Sequence, residues 1–237
     1  MDLREVSGNE NRHPWELSRG RCMIKEIRKI GHVERVLDIG CGDGYFDRLL
    51  VQNDPRIKDL QGYDLFLENP SSEGVCRWTN DFSEVPDNSF DLILMMDVLE
   101  HVEDDRRFFR QICSKLKPHG QILITVPAFM KLYSLHDQEL KHFRRYDRKM
   151  LRNVVESAEC TILSESYFYV TLILLRLLTK NRTENLGMWK HGRKHFITRF
   201  TEAVLNTDYD VLRCLSKSRI IIGGLSLFMI VRKNSNG

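Results

Sequence analysis

The sequence predicts an α/β fold: a doubly wound, mostly parallel, Rossmann-like sheet of seven strands with a helical insertion before the last strand. Three observations carry that class. The near-continuous apolar runs Phe90–Met96 and Gln121–Val126 are the mark of strands covered on both faces. They alternate with amphipathic segments at helical period. Finally, the run from Val36 to Ile39 passes into Gly40-Cys41-Gly42-Asp43-Gly44, a tight loop between a strand and a helix start. Such loops need residues at positive φ, and a ligand approaches the backbone closely only where no Cβ intervenes.

Each element follows in order. Residues 1–12 are polar and read as a frayed end. Trp15, Met23, Ile24, Ile27 and Ile30 outline an amphipathic helix that Gly31 stops. The first strand is Arg35–Ile39, and the helix after the glycine loop runs to about Val51. A second strand, Leu60–Leu65, carries Asp64 near its end. Phe108, Phe109, Ile112 and Leu116 form one helical face, which Lys117-Pro118-His119-Gly120 ends. Lys131–Arg148 reads as a polar loop with a short helix, Lys149–Ala158 as a helix, and Thr161–Tyr169 as a strand. The apolar run 170–178, broken by Arg176, falls short of the roughly 20 residues a bilayer span needs. Phe196–Leu215 has one apolar helical face, and Gly224–Val231 closes the sheet. The expected organisation is one domain over 1–237, with an N-terminal helix at 13–31, a core at 33–169 and 220–233, and a helical cap at 170–216.

The acids carry the chemistry. Asp38, Asp64, Asp81 and Asp97 all fall at predicted strand ends, on the carboxyl edge where doubly wound sheets bind ligands. A loop cradling a pyrophosphate would be repelled by Asp38 and Asp43. These acids suit a ligand with positive charge, such as the ammonium and sulfonium of S-adenosylmethionine, and count against a nicotinamide dehydrogenase. Composition narrows the rest. Charged residues make up 29% and apolar ones 42%, ordinary for a globular enzyme, and a net charge of +3 is too small for a nucleic-acid partner. The six cysteines form no CxxC pair and have no histidine at zinc spacing. With no apolar leader at Met1–Glu5, a cytoplasmic, metal-free protein is expected.

Through Val36–Gly44, Asp64, Asn80-Asp81-Phe82, Phe90–Val102 and Leu116–Pro127, the chain resembles the class I S-adenosylmethionine-dependent methyltransferases. The resemblance is closest to the type 11 and 12 members. It covers roughly residues 33–128 strongly and the terminal strand pair more weakly. It implies S-adenosylmethionine as cofactor and S-adenosylhomocysteine as product. Asp38 with the backbone of Gly40, Cys41 and Gly42 would hold the methionine end, and Asp64 the ribose hydroxyls. Asp81 with Phe82 would border the adenine, Leu65 would join the cofactor site beside Asp64, and Asp97 and Val98 would line the pocket near the methyl group. His101 is placed beside them, with a helix-start role next to Glu100 as its alternative.

His13-Pro14-Trp15-Glu16 with Arg19, and His136-Asp137 with His142-Phe143-Arg144-Arg145-Tyr146, resemble segments of methyltransferases encoded with glycan and lipid biosynthesis enzymes. Arg19 would then meet the cofactor, and Trp15 would either cover it or anchor the first helix on the core. His136, His142, Arg144, Arg145 and Tyr146 would meet the acceptor, with a solvated charged loop as the alternative for Arg144 and Arg145. His136, His142 and His101 are the candidates for a general base, His136 foremost with Asp137 able to orient it. The expected reaction is O-methylation of a sugar, lipid-linked or small-molecule acceptor. The alternatives are N-methylation of a small metabolite and a non-catalytic cofactor-binding module. The cap reads as a lid, a homodimer face or a peripheral membrane contact through Arg176, Arg182, Lys190, Arg193 and Lys194.

Overall fold

The computed structural model describes residues 12–173, 195–218, 220 and 222–234, and the side chains of these except at 195–198. The N-terminal stretch read as frayed, most of the 170–178 run and the basic 180–194 segment lie outside the described residues.

The chain runs α1 (Pro14–Ile27), β1 (Arg35–Ile39), α2 (Tyr45–Asn53), β2 (Asp59–Tyr63), β3 (Ser71–Glu73), β4 (Cys76–Thr79), β5 (Phe90–Met96), α3 (Asp105–Cys113) and β6 (Leu116–Pro127). Then come α4 (Leu135–Glu139), α5 (Arg148–Glu156), β7 (Cys160–Phe168), α6 (His195–Lys217) and β8 (Ser226–Lys233). The strands form one eight-stranded sheet in the order β3-β4-β2-β1-β5-β6-β8-β7. β4, β2, β1, β5 and β6 are parallel neighbours, whereas β3 and β8 run antiparallel to the strands they pair with.

The eighth strand comes from a short hairpin that no apolar alternation announces. Ser71–Glu73 is exposed throughout and pairs only with β4, so it carries no core signal. β4 itself buries Cys76, Trp78 and Thr79. Leu116, expected on the helical face of α3, instead opens β6 and pairs with Phe90. The helix ends at Cys113, one turn before that residue.

Strand alternation sorts the core into two layers. Val36, Leu60, Leu92, Leu94 and Phe228 face α1, α2 and α6, whose Met23, Leu50 and Tyr209 meet them. Leu37, Ile93, Ile122, Ile124 and Met229 face α3 and α5, whose Phe109, Ile112 and Val155 fill the other side. The predicted α6 packs lengthwise on α1. Ser18 donates to Asn206 at 2.8 Å, Lys25 reaches Asp210 at 2.8 Å, and the buried Arg213 grips Glu26 through two nitrogens at 3.1 and 2.7 Å. Among the described residues, no helix is long and apolar enough to cross a membrane.

Candidate active site

β1 ends at Ile39, and the chain turns through Gly40 and Gly44 at φ +75° and +69° before α2 begins. A Cβ on Gly40 would lie 2.7 Å from Val98, and one on Gly44 would lie 2.4 Å from the Trp78 indole nitrogen. Glycine at 40 therefore brings the loop against the end of β5, and glycine at 44 seats it on Trp78. The loop is also tied to the end of β2. The Gly40 and Cys41 N–H groups donate to Tyr63 O at 2.7 and 3.3 Å, and Gly42 N–H donates to the Asp64 carboxylate at 3.0 Å. The other Asp64 oxygen accepts from Phe66 N–H at 2.9 Å.

Beneath the loop lies a carboxylate pair. Asp38 and Asp47 are both buried, and Trp78 donates its indole N–H to Asp47 at 2.7 Å. Asp38 Oδ1 has no hydrogen-bond partner among the described residues. Burial, reinforced by the neighbouring Asp47, lifts Asp38 well above the usual carboxylate range. Burial pushes Asp47 up to about 6. Asp38 lines the pocket together with Gly40 and Cys41 of the glycine loop. Cys41 is chemically quiet, since burial, with Asp47 and Asp38 nearby, pushes its thiol up.

α1 forms the opposite wall through Glu16, Arg19 and Gly20, facing Asp38, Gly40 and Tyr45. Arg19 forms an ion pair with Asp97, and its guanidinium sits 4.7 Å over the Trp15 ring. Asp97 is held at φ +57°, a left-handed conformation rare outside glycine, and accepts from Thr125 Oγ1 at 3.2 Å. On the far side, Asp81 caps the short helical turn Phe82–Glu84 by accepting from Ser83 N–H at 2.8 Å. Phe82 packs edge-on to Tyr63, and Leu65 is exposed at the rim.

The segment after β6 brings a second group together. Phe143 N–H donates to Glu100 O at 2.7 Å, which places the His142 ring edge-on to His101 with centroids 4.6 Å apart. Glu100 is wholly buried, neither of its carboxylate oxygens has a partner among the described residues, and burial pushes it up to about 8. Asp137 lies against His142. One of its oxygens lies 3.0 Å from His142 Nδ1 and accepts from Arg145 Nε at 2.8 Å, and the other accepts from Ser134 N–H at 2.9 Å. An Asp137 ionised against Arg145 makes Nδ1 the protonated nitrogen of His142, leaving Nε2 with the lone pair. The oriented imidazole is His142, while His136 is half-buried on α4.

Three expected acceptor residues are otherwise engaged. Arg145 is buried on Asp137 and on Ala128 O at 3.2 Å, so its guanidinium holds the loop and does not reach a ligand. Tyr146 is fully buried, with its hydroxyl 2.8 Å from Asp105 and 3.1 Å from Leu99 O. Arg144 is tied to Asp105 at 2.8 Å and to Glu103 O at 2.6 Å. The charge and ring that looked ready for an anion satisfy carboxylates already inside the protein. Sequence reading passed over Asp47 and Glu100. The available signal was slight in both: Asp47 follows Phe46 at the start of α2, and Glu100 follows Leu99 just after β5.

A family model described as a methyltransferase domain matches residues 16–165. Phosphoethanolamine N-methyltransferase 3 of Arabidopsis thaliana is 34% identical over 104 residues, 39% of this chain and 21% of that protein. A ubiquinone biosynthesis O-methyltransferase of Bradyrhizobium sp. (strain ORS 278) is 34% identical over 98 residues, 38% of this chain and 39% of that protein. The match thus spans a minor part of each of these relatives. Among solved structures, a SAM-dependent methyltransferase from Archaeoglobus fulgidus has the same fold, with a TM-score of 0.56 at 22% identity over 92% of this chain and 94% of that one.

Proposed function

This chain belongs to the S-adenosylmethionine-dependent methyltransferases, and from that membership we propose that it methylates a hydroxyl group of a small-molecule, sugar or lipid-linked acceptor. The bound cofactor supplies a methyl group already activated by a sulfonium. The chain's own residues fit it: the unpartnered Asp38 oxygen under the glycine loop is a ready counter-charge for an ammonium. Asp38, Gly40, Cys41 and Gly42 hold the methionine end and Asp64 the ribose, an ionised carboxylate being a good acceptor for two hydroxyl donors. Leu65, Asp81 and Phe82 border the adenine. Trp15 and Arg19 close the pocket from α1, with Asp97 and Val98 beside the methyl.

The His142–Asp137–Arg145 chain carries the choice of oxygen as nucleophile. A hydroxyl attacks well only as it loses its proton, and positioned polar groups at that proton contribute roughly 10²- to 10⁴-fold. The Glu100–His101–His142 cluster, with Asp137 against His142, supports such activation beside His136, the base expected from sequence. The name of the Bradyrhizobium relative supports oxygen as well. The Arabidopsis relative's name supports a second reading, an amine acceptor, which needs no such group once neutral.

S-adenosylhomocysteine release across a panel of hydroxyl and amine acceptors tests the choice. Turnover of a hydroxyl acceptor that falls at least about 100-fold in His142→Gln is expected. Turnover confined to amines and indifferent to that substitution overturns the oxygen reading.

A further inference from the structure

Glu100, His101 and His142 each offer one ligand atom, and the three atoms lie within 4.8 Å of one another. The geometry points to a binding site for a divalent first-row transition ion, of the Mn²⁺, Fe²⁺ or Zn²⁺ class, held by these three side chains at the carboxyl end of β5.

Four observations support it. The donor set is two imidazoles and one carboxylate, which suits a transition ion better than the all-oxygen shells of Mg²⁺ and Ca²⁺. With metal–ligand bonds of about 2.1 Å, small side-chain rotations bring atoms at this spacing onto one ion. Glu100 gives the second, independent indication. Both of its oxygens are buried without a partner among the described residues, an arrangement that costs free energy unless a proton or a cation compensates it. Finally, the support behind the ligands is already built. Asp137, fixed by Arg145 and by the Ser134 N–H, lies against His142 Nδ1 and leaves Nε2 for the ion, the carboxylate–histidine–metal relay of many metal sites. Sequence spacing hid the set, because 40 residues separate His101 from His142 and no zinc-type pattern joins them.

The cluster begins three residues after Asp97, the residue assigned to the methyl end of the cofactor pocket. An ion there would hold the acceptor oxygen and lower its pKa, so that the proton leaves to solvent before the oxygen attacks the methyl carbon and the carbon–sulfur bond breaks. That consequence rests on the hydroxyl-acceptor reading. The binding of the ion does not.

The test uses the full chain, stripped with chelator and titrated with MnCl₂ while the free Mn²⁺ signal is followed by electron paramagnetic resonance. Manganese is preferred over zinc because the exposed Cys214 would compete for a thiophilic ion. One ion per chain is expected, bound at least tenfold more weakly by Glu100→Gln and His142→Gln, and 10- to 100-fold more weakly by Asp137→Asn. Glu100→Gln keeps the shape of the protonated acid and so retains the fold, which undiminished S-adenosylhomocysteine affinity verifies. Absence of stoichiometric binding, or binding unchanged in Glu100→Gln, overturns the site. Mn²⁺ binding that these variants weaken, in a protein that methylates only amines, upholds the site and removes the hydroxyl reading alone.

Discussion

Asp64 shows how much one side chain carries. It joins the glycine loop to the turn after β2, and it is the residue proposed to take the ribose. Asp64→Ala is expected to weaken S-adenosylhomocysteine by roughly 1.5–3 kcal/mol, about one to two decades in Kd by calorimetry. Gly42 sits at φ +59°, so Gly42→Val is expected to abolish that binding while circular dichroism stays near wild type. The Asp38–Asp47 pair makes a prediction in pH. Both carboxyls are raised in the folded protein, Asp47 to about 6, so between pH 4 and 6 the folded state holds more protons than the unfolded one. Stability of the ligand-free protein is therefore expected to fall as pH rises through that window, read as a falling Tm. Affinity for a cationic ligand should move the opposite way, tightening by up to about tenfold per pH unit if one proton is released. The strand-end acids were legible because a strand, a turn and a helix start are local patterns. Asp47 was not, since only the packing of α2 against β1 brings it to Asp38. His142 was assigned to acceptor space from the sequence, but its carboxylate partner was given to His136, because adjacency along the chain says nothing about which ring a side chain faces.

At the scale of elements, α1 walls the pocket proposed for the cofactor, and α6 packs along α1. The buried Glu26–Arg213 pair joins them with two hydrogen bonds. Removing one partner strands a charge in the interior, so Arg213→Ala is expected to cost about 3–5 kcal/mol in urea unfolding. The same packing decides what a deletion of 180–215 does. A cap resting over acceptor space could be removed with cofactor affinity intact. A helix bonded along α1 at Ser18, Arg21, Lys25 and Glu26 cannot. Loss of S-adenosylhomocysteine binding together with turnover is expected, and retained affinity would return α6 to the role of a separate cap. The amphipathic pattern of α6 was readable over its whole length. Its neighbour was not, because an apolar stripe specifies burial and not the partner that provides it. The β3–β4 hairpin escaped for the converse reason, as a three-residue exposed strand has no stripe to read.

Across the whole molecule, alternating buried strands and helices are enough to specify the parallel sheet and the edge that gathers the acids. Loop-borne chemistry is less legible, since residues 128–146 acquire their partners only when the bridge between Ala128 and Tyr146 sets them beside the end of β5. One topological detail reaches beyond the site. β8 does not lie at the sheet margin but between β6 and β7, pairing with both over residues 226–233. During synthesis β6 and β7 therefore emerge with no strand between them, and their facing edges stay open until the ribosome has made nearly a hundred further residues beyond β6. The nascent chain must be kept from pairing those edges with other molecules for that interval, so the β6-β8-β7 side of the sheet is the last to close.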